Sequence, residues 1–233
     1  MDDLVDHARE LVAMRYPGAL AAFLGGSAST GTATPTSDLD IAVLMPAGHD
    51  TRRETTRERG RLVEWFVHTP ETIDRFLDND ERRGVMANVY GKGIVLADRD
   101  GAAKEIAAKA RAVFDAGPER LTAEQLEARR YGLTDALDDL VDAADPHEQL
   151  AVADAAFTAA AILLCDLRGS WHGQGKWLPR RLLAADEGFG RRLLDARLQV
   201  ARAGDATALV TVIGQLLDEA GGPVREGFRR TAT

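Results

Sequence analysis

The sequence predicts an α+β protein in which a small mixed-sheet domain is followed by an all-helical bundle. In the first half, short apolar runs typical of strands alternate with helical segments, and they lie near residues 19–25, 39–45, 62–68 and 93–97. After Gly117-Pro118 no segment has the pattern of a strand. We therefore expect one domain over residues 1–117 and a helical domain over residues 118–233.

Residues that end or start helices predict the helix bounds in the first half of the sequence. Pro17-Gly18 ends the first helix. Thr69 is suited to the N-cap of a later helix and Pro70 to its first position. The predicted helices of this half lie over residues 3–15, about 70–77 and 101–115.

A charged stretch, Thr51–Gly60, separates the second and third predicted strands. It lacks an apolar periodicity, and it fits either a solvated hairpin loop or a short helix. We expect it to be an exposed connector.

The helices of the second half have clear start signals. Thr122 and Gln125 form the pattern of a capping box, and Asp145-Pro146 restarts a helix after a short break. The predicted helices lie over residues 122–144, 145–169, 186–203 and 205–220.

The composition is that of an ordinary soluble globular protein, with 45% hydrophobic and 28% charged residues among 233. The net charge of −8 does not provide the basic surface that nucleic-acid binding requires.

The N-terminus lacks the pattern of a signal peptide, and the apolar stretch Ala155–Cys165 is too short to span a bilayer. The single cysteine fits a reducing compartment. We expect a cytoplasmic protein that binds neither nucleic acid nor membranes, either as a monomer or as a homodimer.

The segment 24–44 is the most informative for function. The first predicted strand leads into Gly25-Gly26-Ser27, where glycines before a helical turn let backbone N–H groups approach a phosphate and the serine adds a hydroxyl donor. Asp38 and Asp40 then open the second strand, and their i, i+2 spacing places both on one face. Paired carboxylates suit Mg²⁺, so the segment predicts a site for a metal–nucleoside triphosphate.

Glu64 is a carboxylate inside the otherwise apolar third strand. This placement is costly unless the side chain faces a metal ion or a partner. The alternative is an edge-strand glutamate that faces water.

These residues resemble the signature of the nucleotidyltransferase superfamily with a polymerase-β-like palm. The resemblance rests on Gly25-Gly26-Ser27, Gly31, Ser37-Asp38 and Asp40, and the small-residue spacer with Pro35 is most similar to the minimal and aminoglycoside-type branches. It implies a palm domain over 1–117 that uses ATP as co-substrate with two Mg²⁺ ions. The implied metal ligands are Asp38, Asp40 and Glu64, and the implied nucleotide-binding residues are Gly25, Gly26, Ser27 and Ser37.

The resemblance also implies that the helical domain binds the acceptor and supplies a general base. Asp135, Asp138 and Asp139 lie in a suitable region, and Asp135 and Asp139 are i, i+4 neighbours on one helical face. We take Asp135 and Asp139 as tentative bases. A solvated acidic helix face is an equal alternative. In some relatives of this type the third strand carboxylate is itself the base, which implies Glu64 as a further candidate.

A second candidate segment, Trp171–Arg181, is predicted to be a glycine-rich, aromatic and basic loop. Lys176 or Arg180 could reach triphosphate oxygens, and Lys176 is the better candidate. The alternative is a loop packed between helices by its tryptophans. The five histidines show no metal-ligand spacing, so zinc is not expected.

The predicted function is Mg²⁺-dependent transfer of AMP from ATP to a hydroxyl of a small molecule, with an aminoglycoside-like antibiotic as the expected acceptor and antibiotic resistance as its consequence. One alternative is a protein-directed AMP transferase of the antitoxin type. Another is a nucleotide-binding module that has lost catalysis.

Overall fold

The computed structural model describes residues 2–78 and 82–229. The chain divides into two compact units, Met1–Gly117 and Pro118–Thr233. The first unit contains a mixed sheet with helices, and the described part of the second unit contains helices only. The α+β fold class is therefore confirmed.

Five strands form the sheet of the first unit, in the order β3-β4-β2-β1-β5. Strands β2 and β4 are parallel, and the other neighbours are antiparallel. The strands are β1 (Ala21–Leu24), β2 (Leu39–Leu44), β3 (Arg52–Glu58), β4 (Arg61–His68) and β5 (Ile94–Asp98).

Helices cover both faces of this sheet because side chains alternate along each strand. The helices of the unit are α1 (Asp2–Arg15), α2 (Gly26–Ser29), α3 (Ile73–Asp78), α4 (Val85–Lys92) and α5 (Ala102–Ala116). Apolar residues of α1 pack against the strand side chains on one face of the sheet, which include Ile41 and Trp65. The strand side chains on the opposite face, which include Ala42 and Phe66, pack against the three helices α3, α4 and α5.

The expectation of an exposed connector over Thr51–Gly60 is wrong, because most of this stretch is strand β3. Its half-buried residues, Glu54, Thr56 and Glu58, alternate with exposed ones. Arg59 and Gly60 have φ angles of 47° and 87° and close a two-residue hairpin to β4. An edge strand keeps one side open to water, so it needs no apolar pattern.

Two further details of the first unit differ from the sequence-based expectation. Thr69 accepts backbone hydrogen bonds from Thr72 and Ile73, so a turn precedes α3 and the helix begins later than Pro70. Helix α4 was not predicted. It begins after Gly84, whose φ of 60° lies in the left-handed region.

The second unit follows its predicted start signals closely. Both hydrogen bonds of the Thr122–Gln125 capping box are present, and the Asp145 side chain accepts two backbone N–H groups at the start of the next helix. The helices are α6 (Ala123–Asp142), α7 (Pro146–Leu167), α8 (Trp177–Ala185), α9 (Glu187–Ala203) and α10 (Thr207–Glu219).

Helix α7 is the central apolar helix of the second unit. By length and composition Pro146–Leu167 is able to cross a membrane, yet half of its most apolar window is buried inside the unit. Ala156, Leu163 and Cys165 are fully buried there. This is the burial expected for the core helix of a folded unit.

Candidate active site

Three carboxylates converge at one end of the sheet. Asp38 lies one residue before β2, Asp40 lies in β2, and Glu64 lies in β4. Asp40 is directly paired with Glu64 across the parallel strands. One oxygen of each carboxylate lies within 4.8 Å of the others, and all three residues are half-buried. The structure thus brings together the three acidic residues that the sequence indicated.

The donor set fits a divalent cation of the Mg²⁺ type. All three groups offer carboxylate oxygens, the ligands that this hard ion prefers. Two oxygens about 2.1 Å from one ion stand up to about 4.2 Å apart, so the spacing of the triad is close to what coordination requires. Three negative charges this close also repel one another unless positive charge is present.

The glycine turn lies directly against these carboxylates. The backbone N–H of Gly25 donates to the Asp40 carbonyl oxygen at 2.8 Å. Gly26 has a φ of 61°, and a Cβ atom there would stand 1.8 Å from Asp40 Oδ2. A Cβ on Gly25 would stand 2.7 Å from a methyl group of Val89. Both positions therefore require glycine, since the aspartate and α4 occupy the space of a side chain.

Ser27 follows in the short helix α2 and is buried. Its carbonyl oxygen accepts the Thr32 N–H at 3.0 Å, and the Ser29 hydroxyl donates to the Gly26 carbonyl oxygen at 2.9 Å. The turn is thus held in shape by its own backbone groups and hydroxyls.

The loop before Asp38 is fixed by local hydrogen bonds. The Ser37 hydroxyl accepts the Thr34 N–H at 2.9 Å, and Arg61 donates to the Ser37 carbonyl oxygen. Ser37 was predicted to bind nucleotide, and in this structure its hydroxyl completes a turn that positions the neighbouring aspartate.

Sequence reasoning missed Arg53. Nη2 of this side chain lies 2.8 Å from Oε2 and 3.0 Å from Oε1 of Glu64. Glu64 therefore faces both the aspartates and a cationic partner, and the edge-strand alternative is wrong because β3 covers β4. The sequence carried no signal for this contact, since the stretch 52–58 has no apolar alternation and its order comes from pairing with β4.

His68, at the far end of β4, belongs to the core instead. Its Nδ1 lies 3.0 Å from the Tyr90 hydroxyl, and burial lowers the pKa of His68 to about 4. Burial likewise raises the pKa of Tyr90. The pair is a neutral hydrogen-bonded contact within the core.

The aspartates of α6 differ in their surroundings. Asp135 and Asp139 are exposed, whereas Asp138 forms two hydrogen bonds with Arg225 at 2.6 and 2.8 Å. The hydrogen bonds from Arg225 hold the pKa of Asp138 below its usual value. Tyr131, one turn earlier, stacks on Phe228 at 4.1 Å between ring centroids.

The predicted loop over 171–181 is only partly a loop. Lys176 is exposed and stands at the start of α8, which contains Trp177. The guanidinium of Arg180 lies 4.9 Å from the centre of the Trp177 ring. Trp171 and His172 are buried, so the packing alternative describes the first residues of this segment.

The first unit thus combines a mixed sheet, three converging carboxylates that could hold a metal ion, and a glycine turn directly against them. Residues 5–82 match the family described as Nucleotidyltransferase domain, and this range contains the turn and all three carboxylates. The first unit thus contains a domain of the nucleotidyltransferase superfamily, which confirms the resemblance drawn from the motif. Such a domain supports nucleotidyl transfer as the activity class and a transferase as the enzyme class.

The solved structure of a nucleotidyltransferase-like protein from Exiguobacterium sibiricum 255-15 is also similar. The similarity covers 93% of this chain and 75% of that protein, at 10% identity and a TM-score of 0.48, which is too distant to support an argument. No curated protein matches the sequence.

Proposed function

We propose that this protein is an Mg²⁺-dependent adenylyltransferase that transfers AMP from ATP to a hydroxyl of a small molecule, with an aminoglycoside-like antibiotic as the acceptor. The observation that carries the proposal is the convergence of Asp38, Asp40 and Glu64 beside the glycine turn. The match of residues 5–82 to the nucleotidyltransferase domain supports the reaction class. The acidic net charge of −8 favours a cationic acceptor.

Asp38, Asp40 and Glu64 would hold Mg²⁺, two ions in this proposal. When bound, the metal neutralises charge on the triphosphate and orients the α-phosphate for attack. The backbone amides of Gly25–Ser27 and the Ser27 hydroxyl would bind the β- and γ-phosphates.

The chemistry is an in-line displacement at the α-phosphorus. The acceptor hydroxyl oxygen forms the new bond to phosphorus, the bond from the α-phosphorus to the bridging oxygen breaks, and pyrophosphate leaves. The hydroxyl proton passes to a carboxylate acting as general base. The candidates are the exposed Asp135 and Asp139 of the second unit and, alternatively, Glu64.

The helical unit would bind the acceptor, and Lys176 would contribute a positive charge to the triphosphate. The exposure of Lys176 supports this role, since its ammonium group is accessible to a ligand. We also propose a cytoplasmic location, which the single buried Cys165 supports.

The test is incubation of the protein with ATP, Mg²⁺ and a panel of aminoglycosides, followed by mass spectrometry. We expect a mass gain of one AMP on at least one antibiotic and none with Asp40→Asn. Loss of kcat with retained ATP and Mg²⁺ binding in Asp135→Asn or Asp139→Asn then identifies that residue as the base, and full kcat in both variants leaves Glu64 as the candidate.

Other outcomes would redirect the proposal. AMP on a protein tyrosine or serine would indicate a protein-directed transferase. ATP binding without turnover on any acceptor would indicate an inactive nucleotide-binding module. If ATP with Mg²⁺ does not bind, and Asp38→Ala and Asp40→Ala behave like wild type, the active-site assignment is wrong.

A further inference from the structure

We propose that Arg53 is an exchangeable counter-ion of the active site. It holds Glu64 in the metal-free protein, and it moves to phosphate oxygens of the nucleotide when Glu64 binds the metal. This inference rests on the proposed function, because it assigns a nucleotide-binding role within the same site.

The register of the sheet places Arg53 at the triad. Strand β3 is antiparallel to β4, with Arg53 opposite Phe66 and Thr55 opposite Glu64. Directly opposite residues share a face, and so do residues two apart on one strand. Arg53 therefore points to the same side of the sheet as Phe66, and Phe66 to the same side as Glu64. Asp40 is paired with Glu64 from the other side of β4 and shares that face as well.

The contact occupies both oxygens of Glu64, since one nitrogen of Arg53 lies 2.8 and 3.0 Å from them. Coordination of a cation by Glu64 needs at least one of those oxygens. The guanidinium and the cation are both positive and share one carboxylate, so each lowers the attraction of Glu64 for the other and binding of one weakens the other.

Exposure makes this exchange possible. The Arg53 side chain is 63% exposed, compared with 21% for Glu64. An exposed ion pair contributes little to stability, so it can open at small cost. The guanidinium also lies 5.1 Å from the centre of the Phe66 ring, a contact that keeps it near the site when Glu64 binds the metal.

Charge favours the contact of Arg53 with phosphate oxygens once the metal and the nucleotide are bound. A divalent cation and a triphosphate bring both positive and negative charge to the triad, and a released guanidinium then stands next to anionic oxygens. Arginine suits such oxygens because its planar fork offers several donors and stays charged.

The neighbouring arginines have other contacts. Arg57 donates to the Gly60 carbonyl oxygen within the hairpin, and Arg61 donates to the Ser37 carbonyl oxygen. Arg52 lies on the opposite face and donates to the Tyr16 hydroxyl. Arg57 shares the strand and the face of Arg53, about 13 Å further along, so it provides a matched control.

The experiment measures two affinities of the full-length protein by calorimetry: Mn²⁺ without nucleotide, and ATP with saturating Mg²⁺. Arg53→Met should bind Mn²⁺ about two- to fivefold more tightly, because its competitor is gone. It should bind ATP at least about tenfold more weakly, because a charge-assisted contact is lost. Arg53→Lys should recover part of the ATP affinity, and Arg57→Met should change neither affinity.

Opposite changes in the two affinities are the signature of exchange. If Arg53→Met weakens both, or changes neither while wild type binds both ligands, the counter-ion proposal is wrong and the proposed function stands. If wild type binds neither Mn²⁺ nor ATP, the proposed function fails, and the counter-ion proposal fails with it.

Discussion

The carboxylate triad of the first unit and the paired aspartates of the second unit show two different arrangements of negative charge. In the first unit, Asp38, Asp40 and Glu64 come within 4.8 Å of one another. In the second unit, Asp138 is paired with Arg225, and Asp166 with Arg129 and His172. Acidic residues are plentiful in both units, so their arrangement and not their number distinguishes a metal site from a network of ion pairs.

The geometry of the backbone explains this difference. Neighbouring strands lie about 4.8 Å apart, so paired residues of a sheet bring carboxylates close without any bending of the chain. Helix α6 instead separates Asp135 from Asp139 by one turn and exposes both. The sheet concentrates negative charge, whereas the helices disperse it.

Metal binding gives the largest contrast between the units. Asp40→Asn should weaken Mn²⁺ binding by more than about a hundredfold, since even a partner outside the ligand shell typically contributes ten- to a hundredfold. Asp139→Asn, an equivalent change in the second unit, should leave Mn²⁺ affinity unchanged. Calorimetric titration of both variants checks this, and equal effects would mean that the metal is not held by the sheet.

Two glycines with left-handed backbone conformations, one in each unit, differ in the space around them. Gly26 and Gly204 have φ angles of 61° and 66°, but a Cβ would meet Asp40 Oδ2 at 1.8 Å in the first and a glutamine oxygen at an ordinary 3.6 Å in the second. Gly26→Ala should lower the free energy of unfolding by about 2–4 kcal/mol, and Gly204→Ala by about 1–2 kcal/mol.

Urea unfolding of both variants measures the two values. Mn²⁺ binding should also fall in Gly26→Ala alone, because the added methyl group displaces Asp40. Normal Mn²⁺ affinity in Gly26→Ala would show that the aspartate can move aside without loss of the site.

Acid should destabilise the first unit through His68. Its pKa is about 4 in the folded protein and about 6.5 when unfolded. Protonation therefore favours the unfolded chain, and the stability present above pH 6.5 is lost as the pH falls towards 4. The loss should reach up to about 3 kcal/mol.

Comparison of variants isolates this effect from other titrating groups. In urea unfolding at pH 7, 6, 5 and 4, His68→Gln should show a shallower pH dependence than wild type. His147→Gln, which changes an exposed histidine of the second unit, should follow wild type. A parallel curve for His68→Gln would show that this histidine does not remain neutral.

Helix caps provide the smallest contrast. The starts of α6, α7 and α9 are capped by the N-cap side chains of Thr122, Asp145 and Asp186, whereas α4 and α5 have glycine at the N-cap position, and Asp98 of β5 accepts the Ala103 N–H of α5. Asp145→Ala should lower the free energy of unfolding by about 1 kcal/mol. The exposed neighbour change Asp142→Ala should have an effect within about 0.5 kcal/mol, and circular dichroism of urea unfolding measures both.

Several features could be predicted because they depend on local signals. The capping box is predicted from two residues three positions apart and the Asp145 cap from the adjacent Asp145-Pro146, and the helices that follow them are confirmed. Strands β2 and β4 follow from apolar runs. Strand β3 could not be found in this way, because an edge strand of arginines and glutamates gains its order from pairing with β4.

The candidate site also contains features that local sequence signals predict and contacts that they do not. The glycine turn and the Asp38–Asp40 pair are local, and the sequence alone indicated them. The partnership of Arg53 with Glu64 depends on the register of two strands, and that of Asp138 with Arg225 joins residues far apart in the chain. No spacing rule reaches such pairs.

By itself, the sequence determined the glycine turn, the caps at which α6 and α7 begin, and the pair of aspartates at the start of β2. These features depend on short-range stereochemistry, which each residue brings to any fold. Only the tertiary structure decided that Glu64 stands opposite Asp40, that Arg53 holds it, and that the acids of the second unit are partly neutralised. Strand register and helix packing set those distances, because hydrophobic burial over the whole unit selects them.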